Sequence, residues 1–264
     1  MRILIVNTMY KRGGAAGIAQ TLHRMLNSLD GYESLFAYGR GPQAKGPKTV
    51  RFALQMEVYL HALLTRMTGL QGYGTWMSTN RLVRLIKEWK PDLIHFHNIH
   101  GYYLNLDITK KVANLKIPVV WTLHDAWALT GRCGYFLDCD RWRIGCGECP
   151  YLWEYPKTYF DSSSWMWHRK RKFLWDMWNP VIVTPSQWLA DLVREVFPNR
   201  CVKVIPNGID TETFRPRDRW EVRRKLGLPE DKKIVLFAAA DLKEARKGTC
   251  YFFESLSHVK ARHW

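Results

Sequence analysis

The chain has 264 residues, 47% of them hydrophobic and 24% charged, with a formal net charge of +16. That composition supplies one large core or two medium ones and excludes wholesale disorder, and no apolar run reaches the length that spans a bilayer. The positive excess favours partners with negative charge: nucleic acid, an anionic membrane surface or phosphorylated small molecules.

The opening "MRILIVNTMY" reads as a buried first strand rather than a signal peptide, because no small-residue cleavage site follows it. The expected compartment is therefore the cytoplasm, where thiols stay reduced. Ile18, Leu22, Met25, Leu26 and Leu29 then recur at helical spacing. "SLFAYG" predicts a strand, Phe52 to Met67 a long helix, and Leu82, Leu85, Ile86 and Trp89 mark another helix. Next come the strand "PDLIHFH", a helix near Asn105 to Leu115 and the strand "PVVWTL". After an irregular stretch follow a helix over 165–178, the strand "VIVTP", the helix "SQWLADLVREVF" and the strand "VKVIP". This alternation predicts an α/β fold with a mostly parallel sheet covered on both faces, in which ligands lie beyond the carboxyl ends of strands.

"IPNGIDTETFRP" (205–216) reads as a hinge after a first domain spanning 1–204. Beyond it, 217–264 predicts a short helix ended by Gly227 and Pro229, a strand "IVLFAAA", a loop "DLKEARKG" and a helix "TCYFFESLSHVKAR". A lone strand of this kind has no partners, so 217–264 reads as the beginning of a second domain.

Several constellations could carry chemistry. Gly13 and Gly14 follow the first strand and open a helix, so their backbone can approach an anion, or simply make a tight turn. The G-x-G-x-x-G fingerprint is absent, which argues against a nicotinamide enzyme. His124 and Asp125 stand at the carboxyl end of a strand, where a histidine can exchange a proton or a hydrogen bond near neutral pH. His95, His97 and His100 surround another strand end; His95 and His97 share one face, and packing or acceptor contact is favoured over metal there. Arg246 and Lys247 precede a helix and form either a phosphate cradle or a solvated basic turn.

In "GRCGYFLDCDRWRIGCGECP", within a loop over 131–150, Cys133, Cys139, Cys146 and Cys149 are spaced C-x5-C-x6-C-x2-C. That spacing fits a closed structural zinc site, and two disulfides or free thiols fit the count as well. Cys201 and Cys250 are isolated and are expected to be core thiols. "WMWHRKRKFLWDMW" (165–178) mixes Trp with five basic positions, counting His168. It reads either as a solvated helix with Trp in the core or as a membrane-surface element. No zinc-finger, RRM-like or helix-turn-helix pattern supports nucleic-acid binding.

Taken together, "GGAAGIAQTLHRML", "PDLIHFHNIHGYYLNL", "TLHDAWALTGRCGYFLDCDRWRIGCGECP", "VTPSQWLAD" and "IPNGIDTETFRP" resemble retaining glycosyltransferases of family four with the GT-B fold. Their order and spacing are most similar to the subgroup of colanic-acid-type exopolysaccharide transferases. The resemblance implies two Rossmann-like domains, the first for the acceptor and the second mainly for a nucleotide-sugar donor. It implies Gly13 and Gly14 near the donor phosphates, His124 with Asp125 at the reacting centre, and Arg246 and Lys247 on the diphosphate. It places His97, Asn98 and His100 on the acceptor side. No catalytic metal is implied, since fixed cations and helix N-termini can stabilise the departing diphosphate.

Two departures accompany it. Ala240-Asp241 stands where the family usually has Gly-Arg, and the family's E-x7-E segment does not occur within the 264 residues. The expectation is a glycosyltransferase acting on a glycan or lipid-linked glycan acceptor, on the inner face of the membrane, truncated and impaired alone unless a separate chain supplies the missing part. The rival readings are a non-catalytic acceptor- or membrane-binding module and, more distantly, a zinc-stabilised nucleic-acid binder.

Overall fold

The computed structural model describes all residues except Arg12, Lys45, Ala240, Lys243 and 259–264. The chain forms two compact units, Met1–Gly208 and Ile209–Trp264.

The first unit is built on seven strands: β1 (Arg2–Met9), β2 (Glu33–Arg40), β3 (Thr49–Arg51), β4 (Leu93–Phe96), β5 (Val119–Thr122), β6 (Val181–Thr184) and β7 (Val202–Val204). Their order across the sheet is β3-β2-β1-β4-β5-β6-β7, and every pairing is parallel. The helices are α1 (Gly14–Ser28), α2 (Gln55–Thr68), α3 (Trp76–Trp89), α4 (Ile108–Ala113), α5 (Ser163–Lys170) and α6 (Gln187–Val196). This is the Rossmann-like α/β arrangement the alternation predicts. The order in which successive strands are added reverses between β1 and β4, and that crossover opens a crevice at their carboxyl ends.

β1 illustrates why the apolar run is continuous rather than alternating. Ile3 and Ile5 pack with Ala19, Phe36 and Tyr38 on the α1 side, while Leu4 and Val6 join the larger core on the other face. Burying each such side chain contributes about 1.5–3 kcal/mol. β3 escapes sequence reading, because three half-buried residues carry too little periodicity.

The segment 165–178 is helical from Ser163 and widens after Lys170 into a π turn over Arg171–Asp176. Its Met166, Trp167, Leu174, Trp175 and Trp178 are buried, so the core reading holds for these three tryptophans, whereas Trp165 is exposed. Trp175 lies against Phe197 with ring centroids 3.9 Å apart and donates from Nε1 to the Ala128 carbonyl at 3.1 Å.

The second unit contains α7 (Arg219–Leu226) and α8 (Thr249–His258), with a 3-10 turn at Ala245–Lys247. Asp218 caps α7 by accepting from Glu221 N–H at 2.7 Å, and Gly227 ends it in the left-handed region at φ 65°. The predicted strand "IVLFAAA" is corrected: its described residues form no strand, and Ala240 lies outside them. Ile234, Val235 and Leu236 are exposed, as expected of a strand-forming run with no neighbouring strand among the described residues to pair with. The end of the predicted last helix, 259–262, also lies outside the described residues. Cys201 and Cys250 are both exposed rather than core thiols. The first sits in the turn entering β7, the second on a helix without a buried face.

Candidate functional site

β1 runs into Asn7, Thr8 and Met9, and the chain then turns through Gly13 into α1. Gly13 has φ 92° and supplies no side-chain cap, and the first turn of α1 carries no acidic residue. The first amides of α1 are therefore left for another acceptor, and the helix dipole favours a negative one. Beside them lies a pocket of about 260 Å³ lined by Gly13, Gly14, Ala15 and Ala16 from this turn, and by Arg40, Asn98, His100 and Tyr155 across it. It occupies the crossover crevice between β1 and β4. Thr8 fastens the β4 side by donating to the His100 carbonyl at 2.7 Å, and Arg40 donates to the Gly101 carbonyl at 3.2 Å.

The adjoining wall comes from the end of β5. Asp125 accepts from the Trp127 N–H at 3.0 Å through Oδ1 and meets His100 Nε2 at 3.0 Å through Oδ2. Burial pushes its carboxyl up, but His100, the Trp127 amide and His124 outweigh burial and hold its pKa below the ordinary value. His124 Nε2 is hydrogen-bonded to His97 Nδ1 at 2.8 Å, and the His97 ring stacks on His95 at 4.3 Å. His95 in turn bonds Thr122 Oγ1 at 2.8 Å. Burial is the first cause that lowers all three pKa values, His95 to about 4. The row is thus neutral at pH 7, so His124 presents an uncharged imidazole beside an ionised carboxylate.

The structure divides the residues expected on the acceptor side. Asn98 and His100 share the pocket with Gly13 and Gly14. His97 is buried and faces, with His95, a separate apolar groove of about 400 Å³ against Ile18, Leu22 and Met25 of α1. Arg246 and Lys247 are exposed in the second unit, where Arg246 Nε pairs with Glu244. Arg40 and Tyr155 were missed by sequence reasoning. Arg40 ends β2, so the strand-end rule could have found it; Tyr155 arrives from a long loop and has no local signal.

The four cysteines come together. Cys133, Cys139, Cys146 and Cys149 line one small pocket with Phe136 and Trp142. Gly131 N–H donates to Cys146 Sγ at 3.2 Å, and Arg132 Nη1 lies 3.8 Å from Cys149 Sγ. Gly131 has no room for a Cβ, which would overlap the Ser163 carbonyl, so the loop seats tightly on α5. Arg132 and Lys170 are both buried here, and their donors go to carbonyls: Arg132 to Tyr151, Leu152, Glu154 and Pro156, Lys170 to Trp127. Burial lowers the Lys170 pKa to about 7 against the opposing pull of Cys133, Cys146 and Asp125. All six cysteines are free thiols, and among the described residues no group of three or more His, Cys, Asp or Glu is arranged to hold a metal ion.

A chain with this crossover pocket and this His-Asp wall finds its match over residues 12–213, which fit the model of Glycosyltransferase Family 4. The chain belongs to Glycosyltransferase Family 4. It is 34% identical over 230 residues to WcaC of Escherichia coli K12, a protein assigned by name to colanic acid biosynthesis as a glycosyl transferase. That match covers 81% of this chain and 56% of WcaC, so this family member spans little more than half the length of that relative. A lipopolysaccharide 1,2-N-acetylglucosaminetransferase of Salmonella typhimurium is 33% identical over 57 residues, 22% of this chain and 15% of the relative. Among solved structures, UDP-N-acetylglucosamine 2-epimerase from Rickettsia bellii aligns at TM-score 0.39 and 14% identity, over 86% of this chain and 51% of the epimerase. Spinosyn forosaminyltransferase SpnP aligns at TM-score 0.34 and 15% identity, over 72% and 47%. At these scores neither likeness bears on what this family-4 chain does.

Proposed function

We propose that the chain serves a glycosyltransferase that moves a sugar from a nucleotide-sugar donor to a glycan or lipid-linked glycan acceptor in surface polysaccharide synthesis. The observation that carries this reading is the crossover pocket of a family-4 chain, which brings the uncapped start of α1 together with His100, whose ring meets Asp125 in the adjoining wall. In this reading the Gly13 and Gly14 backbone binds donor phosphate in the first unit, and Arg246 and Lys247 are the candidates for diphosphate in the second. His124 stands beside the sugar as an uncharged hydrogen-bonding group, with Asp125 orienting its surroundings. Asn98 and His100 face the acceptor, and His97 holds His124. The sugar C1–oxygen bond to the diphosphate breaks, the acceptor oxygen takes C1, and the acceptor proton leaves with the diphosphate. Fixed amides and cations stabilise the charge that builds on the leaving group, without a catalytic metal.

The second unit supports a further part of the proposal. Ile234, Val235 and Leu236 lie exposed and have no strand partner among the described residues, so in this reading full turnover requires neighbouring strands, from more polypeptide or from a separate chain. The test is sugar transfer from labelled nucleotide sugars, measured with the purified chain alone and with an extract of polysaccharide-producing cells. The expected result is weak transfer alone, stronger transfer with extract, and a loss of about 10²–10³-fold in His124→Ala. Ordinary turnover by the lone chain would sink the requirement for added strands. Binding to glycan with no transfer under either condition favours a non-catalytic acceptor-binding module.

A structural zinc on Cys133, Cys139, Cys146 and Cys149 belongs to the same reading. Four thiolates on a divalent ion carry two negative charges, and Arg132 with a Lys170 ammonium would supply two positive ones, their hydrogen bonds going mainly to carbonyls. The thiols would turn inward from their present positions to bind. Elemental analysis of the purified chain is expected to give one zinc, diminished in Cys146→Ser. Four freely titrating thiols without metal, or two disulfides by mass, would overturn it.

A further inference from the structure

α2 is inside out. Its residues at helical spacing 57, 61 and 65 form a polar stripe that faces the protein: Glu57 is 7% exposed, His61 and Thr65 1% each. Glu57 accepts from the Met77 and Ser78 amides at 2.8 and 2.7 Å, capping the start of α3. His61 Nε2 accepts from the Gly72 and Tyr73 amides at 2.8 and 3.3 Å. The inward face is therefore held by the hydrogen bonds of Glu57 and His61 together with Val58, which packs in the larger core.

The outward face is apolar. Met56, Leu60, Leu63 and Met67 follow one another at three- and four-residue spacing with Tyr59 beside Leu60, and all five are from 47% to 71% exposed. Trp76 and Met77 continue the surface at the α3 start that Glu57 holds, and both are exposed. At the other end, Tyr159 N–H donates to the Arg66 carbonyl at 2.9 Å, and exposed Tyr159 and Phe160 extend the patch beside Trp153. A solvated helix places its apolar stripe inward; here that stripe is turned to the surroundings, and large exposed apolar patches mark interaction sites.

We infer that this face of α2, with its flanking Trp and Tyr residues, docks the protein on an anionic membrane surface. Charge favours that occupant. The cations along the patch are Arg66, Arg81, Arg84 and Lys157, all exposed, whereas Glu57 is buried and Glu154 is the one exposed acid within 55–68, 76–84 and 153–160. The chain as a whole carries +16. Tryptophan and tyrosine rings with an apolar body and a polar tip suit the headgroup layer, and Arg66 over the Tyr159 ring at 5.1 Å places a cation at that level. Among the described residues no helix is long and apolar enough to cross a membrane, and the inferred contact is with the membrane surface.

The face also leads toward the candidate site. Tyr59 lines a pocket of about 430 Å³ with Arg40, Arg51 and Gln55, and Arg40 and Met9 are shared with the crossover pocket. A lipid-linked acceptor held at the membrane could thus present its phosphate to Arg40 and Arg51. The docking itself is measured without donor or acceptor, so its outcome is separate from that of the transfer assay.

The experiment is flotation of the full chain with vesicles of phosphatidylglycerol and phosphatidylethanolamine, against vesicles of phosphatidylcholine alone. The double variant Leu60→Glu, Leu63→Glu is compared at matched thermal midpoint, with Val58→Ala as a control that changes the buried face. The expected result is preferential binding to anionic vesicles, weakened roughly tenfold or more in the double variant and retained in Val58→Ala. Equal vesicle binding by the double variant and the unaltered chain would overturn the inference. So would a concentration-dependent dimer of the unaltered chain, abolished by the double variant, with no vesicle binding by either.

Discussion

Two helical segments of the first unit exchange the roles their compositions suggest. The stretch from Ser163 to Trp178 is dense in tryptophan and cations, yet it sinks Met166, Trp167, Leu174, Trp175 and Trp178 into the core. Its cations settle over rings, as Arg171 does at 4.6 Å from Trp167 and 4.7 Å from Phe197. α2 has an ordinary mixed composition, yet it turns its apolar residues outward and buries Glu57, His61 and Thr65. A helix is oriented by whichever face finds partners. For α2 the free amides of α3 and of the Gly72–Tyr73 turn outbid a hydrophobic surface, since buried donors left unpaired cost about 1–3 kcal/mol each.

The contrast can be broken at either helix. The largest expected effect is Trp175→Ala, which removes a fully buried ring and its hydrogen bond to the Ala128 carbonyl. It should lower stability by about 3–5 kcal/mol in urea unfolding. A loss under 1 kcal/mol would mean that the segment is not core. Glu57→Ala comes next, at about 2 kcal/mol, because it frees two backbone amides and the Ser78 hydroxyl that now point at its carboxylate. An unchanged urea midpoint in Glu57→Ala would show that α2 is not held by its polar face.

Acid should sharpen the same comparison. His61 on α2 and His95 in the sheet both have pKa values lowered by burial from 6.5 to about 4. Between these values the unfolded chain takes up protons that the folded one refuses, so stability is full above about pH 6.5 and falls as pH drops toward 4. The urea midpoint followed over that range checks it, and His61→Gln should flatten the slope. The smallest effect is expected on the outward face: Leu63→Gln should alter stability by no more than about 0.5 kcal/mol. A larger loss would place Leu63 in a packed contact.

Much of the candidate site was legible because it obeys strand-end rules. His124, Asp125 and Gly13 follow recognisable strands, and any parallel sheet aims such residues at one edge. Tyr155 was not legible, since it reaches the pocket from a loop distant in sequence. Nor was the neutral state of the histidine row, which depends on burial that adjacent elements impose. The strand expected at 234–240 failed for a related reason: its residues favour extension, but a strand exists only when another backbone meets its hydrogen bonds.

Local pattern therefore determined the elements of the first unit apart from β3, the parallel α/β class, the family and the grouping of the four cysteines, because periodicity and spacing are properties of neighbouring residues. Tertiary structure decided which face of α2 and of the Trp-rich segment is buried, and that His97 bonds His124 while lining, with His95, a groove against α1. Those outcomes depend on hydrogen-bond partners and packing surfaces that distant parts of the chain bring together.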